Sequence, residues 1–185
     1  MVRRLQLLVG ACDTLAEWTG RLTALFAPLM VLVTCYIVVT RYVFDSGSIA
    51  VQELLIYCNA LLFLCGAAYA HKHDSHVRVD VFYSTASPRA KAWINLLGTL
   101  LLLVPMAVFI LLYSTHYVAA SWAIREQSPD TGGLPWVYLL KSLILIMPLL
   151  LLVQGLAEFL RSLLFLSTPN ARAEPGIPAL EEGTL

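Results

Sequence analysis

The residues that could do chemistry in this chain are few, and their positions limit what that chemistry is. His71, His73 and His76 cluster with Asp74 inside a six-residue stretch, a pattern that could offer nitrogen and oxygen ligands to a divalent cation. Metal ligands must converge on one point, and nothing in this stretch fixes them, so it reads as a solvated run and no metal site is expected. His71 and His116 raise a second idea, axial ligation of a haem. They fall toward opposite sides of the membrane on the reading below, so they do not meet one iron. Cys12, Cys35, Cys58 and Cys65 contain no CxxC pair. Cys58 and Cys65 are about 10.5 Å apart along a helix, beyond disulfide reach, and all four cysteines read as small apolar packing. Charges inside apolar runs usually mark function, yet Glu53, Lys141 and Glu158 each lie close to the end of such a run. No catalytic residue and no cofactor are expected, and the chain does not read as an enzyme.

These residues must be positioned by apolar blocks. The chain has 185 residues, 59% hydrophobic and 13% charged, where a soluble domain carries roughly 25% charged residues. Mean hydropathy is +0.76, which excludes the soluble-enzyme class. A formal net charge of zero argues against nucleic acid as a partner, because a basic excess supplies most of such binding. Leu22 to Thr40 is 19 residues without a charge, enough at about 1.5 Å per residue to cross a hydrocarbon core of about 30 Å. Three further blocks follow. The expectation is an all-α integral membrane protein, a single four-helix membrane domain over residues 1–166 with spans near 22–40, 50–71, 90–117 and 135–160. Residues 167–185, with three prolines and little to bury, read as a disordered tail.

The N-terminal segment has two misleading features. Arg3 and Arg4 ahead of Leu5 to Val9 resemble a signal peptide, and Val9-Gly10-Ala11-Cys12 resembles a lipoprotein box. The apolar stretch is too short for either. Leu5, Leu8, Val9, Cys12, Leu15 and Ala16 instead follow helical spacing, with Arg3, Gln6, Asp13 and Glu17 off that face. This predicts an amphipathic interfacial helix over about residues 3–19. Basic residues set the orientation: nine fall on the side of the N-terminus, and Arg41, Arg125 and Lys141 on the other. Both termini are expected in the cytoplasm, with Trp122 and Trp136 at the outer boundary.

Local signals add detail. Ser87-Pro88 reads as N-cap and first residue of the third span, and Pro28, Pro105 and Pro148 shape their helices. Asn59, Gly66, Ala67 and Ala70 are expected to give span two one small, polar packing side. Glu53 and Lys141 both lean toward the outer interface, where Glu53 is expected to pair with Lys141 or with Arg41.

Several pieces together resemble a known family. Arg41-Tyr42-Val43-Phe44 closes span one, Glu53 opens span two, and Gly66 lies within it. His76-Val77-Arg78-Val79-Asp80 follows, then Pro88, and Gly132-Gly133-Leu134-Pro135-Trp136 precedes span four. From about Glu17 to Arg161 the chain resembles the small, DctQ-type membrane subunit of TRAP, tripartite ATP-independent periplasmic, transporters. It departs at Ile49-Ala50-Val51-Gln52, where many members carry a Trp and a second Glu. The resemblance implies a large membrane subunit that moves substrate by a sodium-driven elevator motion, a periplasmic substrate-binding protein, and an organic acid as cargo. It implies that this chain is a scaffold for the fixed part, in a bacterial inner membrane. Arg41, Glu53, Asn59, Gly66, His76, Arg78, Asp80, Trp136 and Lys141 are then structural or interface candidates. An autonomous small carrier and a membrane electron-transfer subunit are the alternatives from other classes.

Overall fold

The computed structural model describes residues 2–75, 83 and 85–167. All regular structure among them is helical. Helix α1 runs Val2–Ala24 and α2 runs Phe26–Val43. Span two is α3 (Ile49–Ala60), a π-turn (Leu61–Cys65) and α4 (Gly66–Lys72). Span three is α5 (Pro88–Gly98), a second π-turn (Thr99–Leu103) and α6 (Val104–Ile124). Span four is the single helix α7, Val137–Ser167. Four stretches are long and apolar enough to cross a membrane, as their hydropathy predicts. Their helices run past the ends of the apolar blocks, because helical hydrogen bonds continue through polar residues that no longer touch lipid.

Proline chemistry explains the breaks. Pro28 has no N–H to give to the carbonyl of Ala24, and the chain parts between α1 and α2 at that carbonyl. Pro105 likewise frees the carbonyl of Leu101, which lies inside the second π-turn. Pro148 is buried inside α7, which continues through it. Ser87 caps α5 as its sequence predicts, accepting a hydrogen bond from the Ala90 N–H at 3.3 Å.

The core forms around α7, which packs against α1, span two and span three. Close approach is made possible by small residues: Ala16, Ala68, Ala92, Ala107 and Ala157 are all buried. Gly155 lies so near Leu103 and Thr99 of the second π-turn that a methyl group would sit 2.9 Å from Leu103. Gly20 of α1 lies flat against the Tyr69 ring, with no room for a β-carbon. By contrast α2 buries nothing; it rests on α3 and the end of α1 along one narrow stripe of half-buried residues.

One expectation is sharpened and one is corrected. Helix α1 packs through Ala16, Gly20 and Thr23, with Asp13 and Glu17 half-buried beside them, while Leu8 and Leu15 are 53% and 44% exposed. The packed face is thus rotated from the most apolar one, because basic groups at the ends of α4 and α7 draw the two acids inward. In span two, Ala68 is buried and Gly66, Ala67 and Ala70 are half-buried, but Asn59 is exposed. The π-turn between them adds residues per turn and carries Asn59 off the small-residue side.

Candidate functional site

Two polar clusters close the two ends of the bundle. At the end that carries α1, Arg161 on α7 holds Asp13 through its Nη2, at 2.8 and 3.1 Å, and Glu158 through its Nη1 at 2.8 Å. Gln154, one helical turn deeper than Glu158 and fully buried, donates to Asp13 at 3.0 Å. Asn95 of α5 donates to Glu158 at 3.0 Å. This cluster ties α1, span three and span four to one guanidinium, whose planar fork suits two carboxylates at once. A second group on the same end centres on Glu17, which accepts from Lys72 at 2.7 Å and Arg21 at 3.0 Å and faces His73 at 3.1 Å. It fastens α1 to the end of span two. The Arg21 arm is a surface pair and adds little.

At the opposite end the anchor is Glu53, on the second turn of α3. Its carboxylate accepts the Ser128 hydroxyl and, at 2.5 Å, the backbone N–H of Leu134. One side chain thereby closes the loop between spans three and four onto span two. The Gly132-Gly133 pair is required by this closure. Gly132 has φ +86°, a left-handed conformation that favours glycine, and a β-carbon on Gly133 would collide with Ser128 and Glu53. Beside it Lys141 pairs with Glu126 and lies 4.2 Å from the Tyr117 ring centroid. The ammonium beside Glu126 holds that carboxyl below the usual range, aided by Ser121. Trp122 donates to Ser142 at 2.8 Å and stacks edge-on to Tyr138.

The expected pairing of Glu53 with Lys141 or Arg41 is therefore replaced. Glu53 meets hydroxyl and amide donors from the loop, and Glu126, four residues after Trp122, takes Lys141 instead. Arg41 ends α2 in the open, lining a cleft of about 390 Å³ with Tyr36, Asp45, Ser48 and Gln52. Trp136 is half exposed, and its carbonyl receives the first N–H groups of α7 from Leu139 and Leu140. Gly66 opens α4 facing the Thr23 hydroxyl. His76, Arg78 and Asp80 lie outside the described residues. The sequence reading missed Asp13, Glu17, Asn95 and Gln154 as site residues. The available signal was two acids four apart on an interfacial helix, facing the basic ends of two spans.

What such an arrangement does chemically is hold helices. The clustered carboxylates are occupied by donors from other elements, and among the described residues no group of three or more His, Cys, Asp or Glu could bind a metal. Residues 30–165 match the family model described as tripartite ATP-independent periplasmic transporters, DctQ component. The chain belongs to this family. It is a small subunit of a TRAP transporter and, with four spanning-length helices, a multi-pass protein of the inner membrane. Membership makes it a transporter component. The Glu53 clamp and its Gly132-Gly133 loop both lie inside the matched region, whereas the whole of α1 precedes it. No curated protein and no solved structure gave a match.

Proposed function

We propose that this DctQ component is the non-translocating scaffold of a sodium-driven, binding-protein-dependent symporter for an organic acid. The observation that carries the reading is where the ionic groups are spent. Asp13, Glu17 and Glu158 lock the α1 end, and Glu53 and Glu126 lock the other. A body stiffened at both ends suits the stationary half of an elevator, in which one part stays fixed while the other slides. Its partners are a large membrane subunit, which carries the substrate and ion sites, and a periplasmic binding protein. The tripartite character of the family supports both.

Orientation follows from the basic residues: the α1 end, with nine of the twelve, faces the cytoplasm. Helix α1 then lies at the inner interface, with Leu7, Leu8, Leu15 and Trp18 exposed toward lipid. Of the tail expected at 167–185, Ser167 is the last residue of α7 and the rest lies outside the described residues. A cysteine at Asp130 should react with an impermeant reagent from the periplasm and one at Ser75 should not; the reverse pattern overturns the orientation.

The functional test is reconstitution in liposomes with an inward sodium gradient. Organic-acid uptake should require this chain, the large subunit and the binding protein together. Accumulation by this chain alone would sink the scaffold reading and favour an autonomous carrier.

A further inference from the structure

The outward faces of two spans differ in chemistry. Within α7, before its last residue, the exposed positions are Leu139, Ile146, Leu149, Leu156 and Leu163. All are aliphatic, and lipid tails satisfy them. On span two a stripe at helical spacing, Gln52, Ile56, Asn59 and Phe63, is exposed as well, and it carries two carboxamides. Gln52 sits at the mouth of the polar cleft beside Arg41. Asn59 does not have that escape. It is the eleventh residue of the 24-residue span Ile49–Lys72, about 15 Å along the helix and so near the centre of a core of about 30 Å.

A carboxamide there has two donors and one acceptor oxygen to satisfy, with no water and no hydrogen-bonding lipid group within reach. Exposed threonines on other spans resolve the same problem locally. The Thr34 hydroxyl donates to the Met30 carbonyl at 2.7 Å, and Thr115 donates to Leu111 at 2.5 Å. The Asn59 carboxamide makes no hydrogen bond to any described residue. It is also too short to reach an interface by snorkelling. Its partner must be another transmembrane helix.

We propose that the Gln52–Ile56–Asn59–Phe63 stripe is the face by which this chain docks a transmembrane helix of the large subunit, with Asn59 as the buried polar contact at mid-membrane. The proposal rests on the scaffold reading and deepens it. Two features select a different helix over a second copy of this chain. The stripe contains no small residue, and two copies facing each other would set Ile56 and Phe63 knob against knob. Close self-association of membrane helices favours Gly, Ala or Ser at such positions. A partner that fits must bring a groove of small residues and a hydroxyl, amide or free carbonyl at the depth of Asn59. The stripe also belongs to the hairpin with α2, which buries nothing within this chain, so neither helix needs its outward side for its own fold.

The experiment uses the complex of this chain with the large subunit, co-expressed and held in lipid nanodiscs. A photoreactive benzoylphenylalanine replaces Phe63 in one sample and Leu149 in another. Illumination should link the Phe63 probe to the large subunit and leave the Leu149 probe without a protein adduct. Asn59→Leu should lower the large subunit retained on this chain by about tenfold, with Asn59→Gln between the two. The proposal is overturned if the native complex forms while the Phe63 probe links to a second copy, links to no protein, or is outdone by the Leu149 probe. If the native chain retains no large subunit at all, the scaffold reading falls with it.

Discussion

The two ends of the bundle are held by different physics. At the α1 end, one guanidinium and one ammonium gather carboxylates from a helix more than fifty residues away in sequence. The bonds are ionic, and they join elements that have no short connection. At the opposite end an ion pair is present too, Glu126 with Lys141. The central carboxylate there, Glu53, bonds a neutral hydroxyl and a backbone N–H, and it organises a loop rather than another helix. The lesson is that a charge serves two tasks in this subunit. Where a helix must be pinned against a bundle, opposite charges find each other; where a turn must be closed, a carboxylate replaces the missing backbone acceptor.

The sharpest way to break this contrast is to remove the guanidinium. Arg161→Leu leaves the half-buried Asp13 and Glu158 facing each other without a cation. It should cost about 3 kcal/mol, since breaking a buried pair strands its partner. The loss should appear as a lower melting temperature and as protease access to α1. Arg161→Lys should recover only part, because an ammonium cannot fork between two carboxylates.

A smaller and more local effect is expected at the other end. Glu53→Ala leaves the Leu134 N–H without its acceptor, a cost of about 1–3 kcal/mol for an unsatisfied donor. Hydrogen exchange should rise across Ser128 to Leu134 and stay unchanged in α1. If exchange rises equally at both ends, the two clusters are coupled and the contrast fails. Gly133→Ala should reproduce the Glu53 pattern, because the added methyl displaces the same carboxylate.

Titration sharpens the comparison further. Glu126 has a folded-state pKa below its ordinary value, set first by Lys141. Its contribution is therefore present above the ordinary carboxylate range and is lost as pH falls through that range to the folded value. A Glu126→Gln chain should show a flatter melting-temperature profile than the native chain in that acidic window and match its slope near neutrality. The smallest effect belongs to the lipid-facing stripe. Leu149→Ala should change stability by no more than about 0.5 kcal/mol, as an outward substitution away from every cluster, measured by the same melts.

Much of the architecture was legible because hydrocarbon imposes a strict requirement on the chain. Backbone groups in lipid must be bonded within a helix, so runs such as Leu22 to Thr40 announce helices by length and composition alone. Motifs of restricted geometry were legible for a similar reason. Ser87-Pro88 is a cap wherever it stands, and Gly132-Gly133 marks a turn. The family, too, could be read from short runs placed between spans.

What the sequence could not supply was the rotation of each helix about its own axis. Periodicity at 3.6 residues placed Asn59 with Gly66 and Ala70, but the π-turn at Leu61–Cys65 resets the register, and no residue type announces a π-turn. The same limit applies to α1. Its hydrophobic pattern marked an interfacial helix, but that Asp13 and Glu17 turn toward the bundle follows only from where Arg161 and Lys72 stand. Glu53 shows the limit in a third form. Its depth in the membrane was readable, but whether it would meet Lys141, Arg41 or a loop amide depended on how far apart three helix ends stand. Composition and spacing determine that a segment crosses the bilayer and where it turns, because those are free energies of transfer and of local backbone. Partner choice is decided by distances between elements far apart in sequence, and those exist only once the helices have packed.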